Sequence, residues 1–174
     1  MPTYLGTVRE VMEQFSELKE IWERGRPYCA SYIETWPRIE PFILNHVKVY
    51  QNNRLRTKVG RARVKWNANE YWIEMHPALF WEHFQYPQEF ADTFFHELAH
   101  IINLLWTGEF SGHNKTWRQI MRSFEFKPAV TLKGEAARHI VYHKEIKKKH
   151  TMNEIDKMMG EHSFNIFGLE EDKE

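Results

Sequence analysis

Residues 88–106, QEFADTFFHELAHIINLLW, form the most hydrophobic stretch of the chain and are long enough for about five helical turns. Apolar side chains lie all the way round that helix, so it has to sit buried at the centre of the fold. Yet past its opening turns, which hold Glu89 and Asp92, three titratable residues, His96, Glu97 and His100, stand inside it. Left buried and unpaired, each would cost on the order of 1–3 kcal/mol. The rest of the fold must therefore supply these side chains with partners.

The three residues make the pattern H-E-x-x-H. Four residues advance a helix by about 400°, so His96 and His100 stand one turn apart on the same face and can grip one tetrahedral metal ion from one side. Glu97 lies about 100° round, where it can act on a water at the site without being a ligand. A shuffled chain of this composition shows the pattern in roughly seven cases per hundred. The assignment therefore rests on the apolar setting as much as on the pattern. Without a metal, the same residues read as two hydrogen-bonded histidines beside a solvent-facing Glu97.

A metal site needs a third ligand. The pattern H-E-x-x-H-x-x-G-x-x-H is excluded, because Asn103 and Trp106 occupy the places of its Gly and its last His. His113 is the best candidate: it follows Gly112 at the start of the next helix, where a tight loop can bring the chain back beside His100. Glu125, His76 and His83 are the alternatives. Three protein ligands leave a fourth position for water, the arrangement of a catalytic rather than a structural site. One Zn2+ ion is the expected cofactor, and Glu97 the expected acid/base.

The remaining periodicities outline an α+β domain. Leu5, Val8, Val11, Met12, Phe15, Leu18 and Trp22 recur at spacings of three and four, which predicts one amphipathic helix over 4–22, ending before Gly25 and Pro27. From Phe42 to His76 the period falls to two. Val47 and Val49, then Ala62, Val64 and Trp66, then Tyr71–Met75 read as strands, separated by turns at Asn52-Asn53 and Asn67-Ala68-Asn69, with Gly60 breaking the second run. A small antiparallel meander packed on helices is expected. Pro77 and Pro87 can each open a helix, His113–Phe126 has helical spacing, and 135–149 is a weaker helical segment. A length of 174 residues suits one domain, here 1–150, followed by an acidic and flexible tail at 151–174.

Charge and composition narrow the functional classes. With 24 basic and 24 acidic side chains, nucleic-acid binding would need a local patch. The segment RLRTKVGRARVKW provides one: Arg54, Arg56 and Lys58 alternate, as do Arg61, Arg63 and Lys65, and Trp66 follows. In extended conformation each trio shares a strand face that could track phosphates, with Trp66 stacking a base of single-stranded DNA. The same pattern also serves as a solvated strand face that resists edge aggregation. Lys144 and Lys147–Lys149 form a second, weaker basic cluster. The single Cys29 rules out a disulfide framework, and no apolar run approaches the roughly 18 residues of a membrane span. The N-terminal MPTYLGTVREVMEQF carries acids where a signal peptide needs an apolar stretch, so an intracellular protein, in the cytoplasm or at the nucleoid or nucleus, is expected. In the tail, residues 162–171 place Phe164, Ile166, Phe167 and Leu169 among polar residues. Such a cluster can dock on a partner groove, for instance on a replication clamp, or fold back on the domain.

HELAH, followed after a short loop by GHNKTWRQIM, resembles the SprT-like metalloproteases, whose H-E-x-x-H helix is followed by a G-H-x-x-x-(F/W) segment. Upstream, VGRARVKWNANEYWIEMHPALF is similar to the same family: a Gly-x-(A/C) strand, a strand ending in I-x-(L/M)-(N/H)-P, then a helix. The resemblance runs over roughly residues 5–126. It implies a zincin-like domain with His96, His100 and His113 as zinc ligands and Glu97 as acid/base. It further implies an endopeptidase acting on DNA-associated or DNA-crosslinked proteins, a role in DNA repair. Many members carry a Cys-rich zinc ribbon that this chain, with Cys29 alone, does not show. Two other functions remain open: a zinc-containing module that binds DNA or protein without turnover, and a peptidase unconnected with nucleic acid.

Overall fold

A computed structural model describes residues 1–55, 58–82, 87–110 and 112–129. The described residues form six α-helices and one four-stranded sheet, the α+β class expected. The predicted helix over 135–149, the Lys144 and Lys147–Lys149 cluster and the tail segment 162–171 lie outside the described residues.

The N-terminal segment departs from the single helix its periodicity suggests. Thr3–Thr7 is strand β1, and helix α1 (Val8–Gln14) starts at a capping box: Thr7 Oγ1 accepts from Glu10 N at 3.3 Å, and Thr7 N donates to Glu10 Oε2 at 2.7 Å. Phe15 then turns extended and packs its ring 4.9 Å from that of Phe90, which breaks the helix. Helix α2 (Ser16–Tyr32) continues through Gly25 and Pro27 instead of ending before them. A mid-helix proline costs a backbone hydrogen bond. Here the buried stripe Leu18, Ile21, Trp22, Gly25, Cys29 continues past it, and burial outweighs the loss. Residues 42–46, read as the start of the strand region, belong to helix α3 (Trp36–His46), which buries Trp36, Ile39 and Ile43.

The sheet is mixed rather than an antiparallel meander. Its order is β1-β2-β4-β3, with β2 (Lys48–Gln51) parallel to β4 (Glu70–Met75) and β3 (Gly60–Lys65) antiparallel to it. Strand β4 takes the centre because it carries the buried Tyr71, Ile73 and Met75, and Asn52 N donates to Met75 O at 2.9 Å to seat β2 beside it. The basic β3 is left at the edge, where charged side chains stay in water and discourage pairing with other chains. Between β3 and β4, Asn69 adopts the left-handed conformation (φ 51°) at the end of a short 3-10 turn, Trp66–Ala68.

Helix α5 (Pro87–Thr107) follows the short α4 (Ala78–Glu82) and runs across one face of the sheet. Phe90, Phe94, Phe95, Leu98, Ile101 and Ile102 are all fully buried, as the apolar circumference predicts. Helix α6 (Lys115–Ser123) closes the core from the other side, with Phe124 4.8 Å from the Phe95 ring and stacked 5.5 Å from Trp22. Gly25 makes that approach feasible: a Cβ there would stand 2.2 Å from Phe124 Cδ1 and 2.9 Å from the Ser123 carbonyl oxygen. Gly25→Ala should therefore lower thermal stability. Helix propensity favours Ala by about 1 kcal/mol, but forcing the pair apart costs roughly 1–3 kcal/mol. A thermal midpoint equal to or above the parent would show that α6 yields freely.

Candidate metal centre

His96 and His100 lie one turn apart on α5, and the loop after Gly108 returns the chain so that His113 meets them just before α6. One nitrogen from each ring lies within 4.8 Å of the others, and His96 Nε2 stands 3.0 Å from His113 Nε2. Tetrahedral ligands at roughly 2.0–2.1 Å from an ion are about 3.3 Å apart, so the His96–His113 pair is near that spacing and the three rings together could hold a metal ion. Burial, then the neighbouring His100 and His113, holds the His96 imidazole down to about 3. His113 is also lowered, by burial and then by the Arg118 and Lys58 charges. Neutral imidazole is the form that binds a metal. His96 Nδ1 is buried with no hydrogen-bond partner among the described residues, so the ring is held by its surroundings rather than by a bond at that nitrogen.

Those surroundings are largely Trp117. Its indole stacks on His100 at 5.4 Å and meets His96 and His113 edge-on at 4.8 and 4.4 Å, while Nε1 donates to the His96 carbonyl at 3.3 Å. In the sequence, Trp117 reads as an apolar helix position and as the aromatic that closes the G-H segment. Its partners on α5 are visible once the two helices pack.

Glu97 points to the sheet. Ala62 N donates to its Oε2 at 2.8 Å, using an amide that the edge strand β3 turns away from β4. Gly60 lets the helix come this close: a Cβ there would stand 2.7 Å from Thr93 Cγ2 and 2.9 Å from Glu97 Cγ. The Gly60-Arg61-Ala62 segment thus has a physical reason, a gap at one position and a donor two residues on. Burial raises the Glu97 carboxyl to about 7, against the Ala62 hydrogen bond and the Lys58 and Arg61 charges, which pull it down. Such a value suits a group that takes and returns a proton near neutrality.

The alternative third ligands stand elsewhere. His76 Nδ1 accepts from Ala78 N at 3.0 Å, and Glu125 is exposed and paired with Arg24 at 3.4 Å. His83 lies outside the described residues.

The model of the SprT-like family matches residues 38–143, more than half of the chain. The chain belongs to the SprT-like family. Neither the curated proteins nor the solved structures gave a match. The family match starts within α3, so α1, α2 and β1 precede the SprT-like region. No helix among the described residues is long and apolar enough to cross a membrane.

The basic segment is split by the fold. Arg54, Arg56 and Lys58 do not share a strand: Arg54 sits in a turn whose amide donates to Asn52 Oδ1 at 2.9 Å, Lys58 is an exposed loop residue, and Arg56 lies outside the described residues. Asn52 Nδ2 donates to the buried Glu74 at 2.9 Å, which anchors the turn that holds Arg54. Arg61, Arg63 and Lys65 do share the outer face of β3. Arg61, however, is committed to Glu74, with NH2–Oε2 at 2.5 Å, and Arg63 lies 5.7 Å over the Trp72 ring. Lys65 and Trp66 are exposed.

Burial alone would raise the Glu74 carboxyl, but hydrogen bonds from Trp72, Arg61 and Asn52 outweigh it and hold the group below its usual 4.5. A depressed carboxylate stabilises the fold above its unfolded pKa, and this is lost as pH falls through the lower folded value. Glu74→Gln should therefore cost on the order of 1–3 kcal/mol at neutral pH, with the difference from the parent shrinking in acid. Thermal melts of metal-free protein across that range check this; a deficit independent of pH would mean that charge is irrelevant there.

Proposed function

We propose that this SprT-like chain is a zinc-dependent endopeptidase acting on proteins associated with or crosslinked to DNA. The reading is carried by one arrangement: three imidazoles around a common point, with a buried carboxylate from the same helix held beside them. When bound, zinc supplies Lewis acidity toward a scissile carbonyl and toward water. His96, His100 and His113 would hold it, and the lowered His96 and His113 imidazoles favour the neutral form that binds a metal. Glu97 is the acid/base. With Oε2 occupied by the Ala62 amide, its other oxygen is left to take a proton from the attacking water. The same carboxyl returns the proton to the leaving amine, and its fixed position spares the reaction a search for orientation.

Glu97→Gln is expected to keep zinc while slowing cleavage by roughly 10²–10⁴-fold, and His100→Ala to lose zinc. Metal analysis of each variant, with fragment patterns from a DNA-binding protein incubated with and without chelator, makes the test. Full activity in Glu97→Gln would end the assignment.

The DNA-directed part is supported by family membership and by Arg63, Lys65 and Trp66 exposed together at the edge of the sheet. Arg63→Ala with Lys65→Ala should weaken single-stranded DNA binding and lower the slope of log affinity against log salt by about 1–2, since each phosphate contact contributes roughly 0.7. Arg61→Ala should instead lower stability, because it leaves Glu74 buried without its main cation. Cleavage unaffected by DNA, together with salt-independent or absent binding, would favour a peptidase unconnected with nucleic acid.

A further inference from the structure

The polar face of α5 does not end at the histidines. Asn103 follows His96 by seven residues and His100 by three, so it shares their face, and it is completely buried. The segment that opens α6 answers it. Thr116 and Trp117 follow His113 by three and four residues, and the Thr116 hydroxyl lies between Asn103 Oδ1 and Asn114 Oδ1, 2.8 Å from the latter. Asn114 Oδ1 also accepts from Trp117 N at 2.8 Å, as the N-cap of α6. The cap that starts α6 and the bridge that ties it to α5 thus meet at one side chain, directly after His113.

We propose that Asn103 and Thr116 are positioning residues for the metal centre, an amide–hydroxyl pin that sets the register of α6 on α5 and so the place of His113. This rests on the reading that the three histidines hold zinc. Beside this pair, the Trp117 Nε1 bond to the His96 carbonyl is long, at 3.3 Å, and packing such as that of Phe95 with Phe124 is apolar. Apolar contacts are non-directional and tolerate sliding, whereas metal–ligand distances tolerate only about 0.2 Å. A hydrogen bond weakens steeply with misalignment, so a buried one fixes what the apolar contacts leave loose. The cost of burying Asn103 is then offset by a third ligand that arrives already in place.

The test compares the parent with Thr116→Val, Thr116→Ser and the double variant Asn103→Leu, Thr116→Val. Zinc affinity is measured by competition with a chromogenic chelator, ligand geometry by the visible absorption of the Co2+-loaded protein, and stability by melting the metal-free protein. Thr116→Val should bind zinc ten-fold or more weakly with an altered Co2+ band, and Thr116→Ser should restore both. The double variant replaces the polar pair by an apolar one; its melting point should recover while its zinc affinity stays weak. A double variant that binds zinc like the parent, with an unchanged Co2+ spectrum, would reduce the pin to a stability element and overturn the proposal. A parent protein that binds neither ion would instead overturn the metal reading itself, and the positioning role with it.

Discussion

The structure turns on placing three titratable side chains, His96 and Glu97 buried and His100 half-buried, within the most apolar helix of the chain. Each neighbour of α5 answers one part of that demand. Strand β3 offers an amide to Glu97, the loop before α6 returns His113 to His96 and His100, and Trp117 fills the space behind the rings. Remove the Ala62 amide and the Glu97 carboxyl is left buried without that partner, where it costs several times what an ordinary surface contact is worth.

That demand also accounts for the small residues. Gly60 is where helix and edge strand come closest, and Gly25 is where α2 yields to Phe124. The close approach at Gly60 serves Glu97 directly, through Ala62 two residues on. The approach at Gly25 serves the site at a distance, because Phe124 ends the helix that carries Trp117 inward. Core packing and site geometry are coupled through α6.

Electrostatics divides the basic residues of β3 by what lies beneath them. Arg61 stands over the buried Glu74 and is drawn into an ion pair within a hydrogen-bond cluster that includes Asn52 and Trp72. Arg63 and Lys65 have no buried acid to answer and stay at the surface. An evenly spaced stripe in the sequence is therefore uneven in the fold, with Arg61 tied into that cluster, Arg63 set over the Trp72 ring and Lys65 exposed.

Several features follow from the sequence alone. The H-E-x-x-H geometry is local to a helix, and helical periodicity fixes which residues share a face; the burial of α5 follows from its apolar circumference. His113 was reachable too, because a short loop after Gly108 leaves the next helix few places to begin. Other features depend on contacts between distant segments and leave no local trace. The parallel pairing of β2 with β4 arises because the most buried strand takes the centre, which no period of two reveals. The path of α2 through Pro27 is decided by a stripe that only becomes a stripe when α1, α3 and α6 cover it. Asn103 looked like a departure from another protease pattern until Thr116 came to meet it, since a buried amide acquires its meaning only from the group placed opposite.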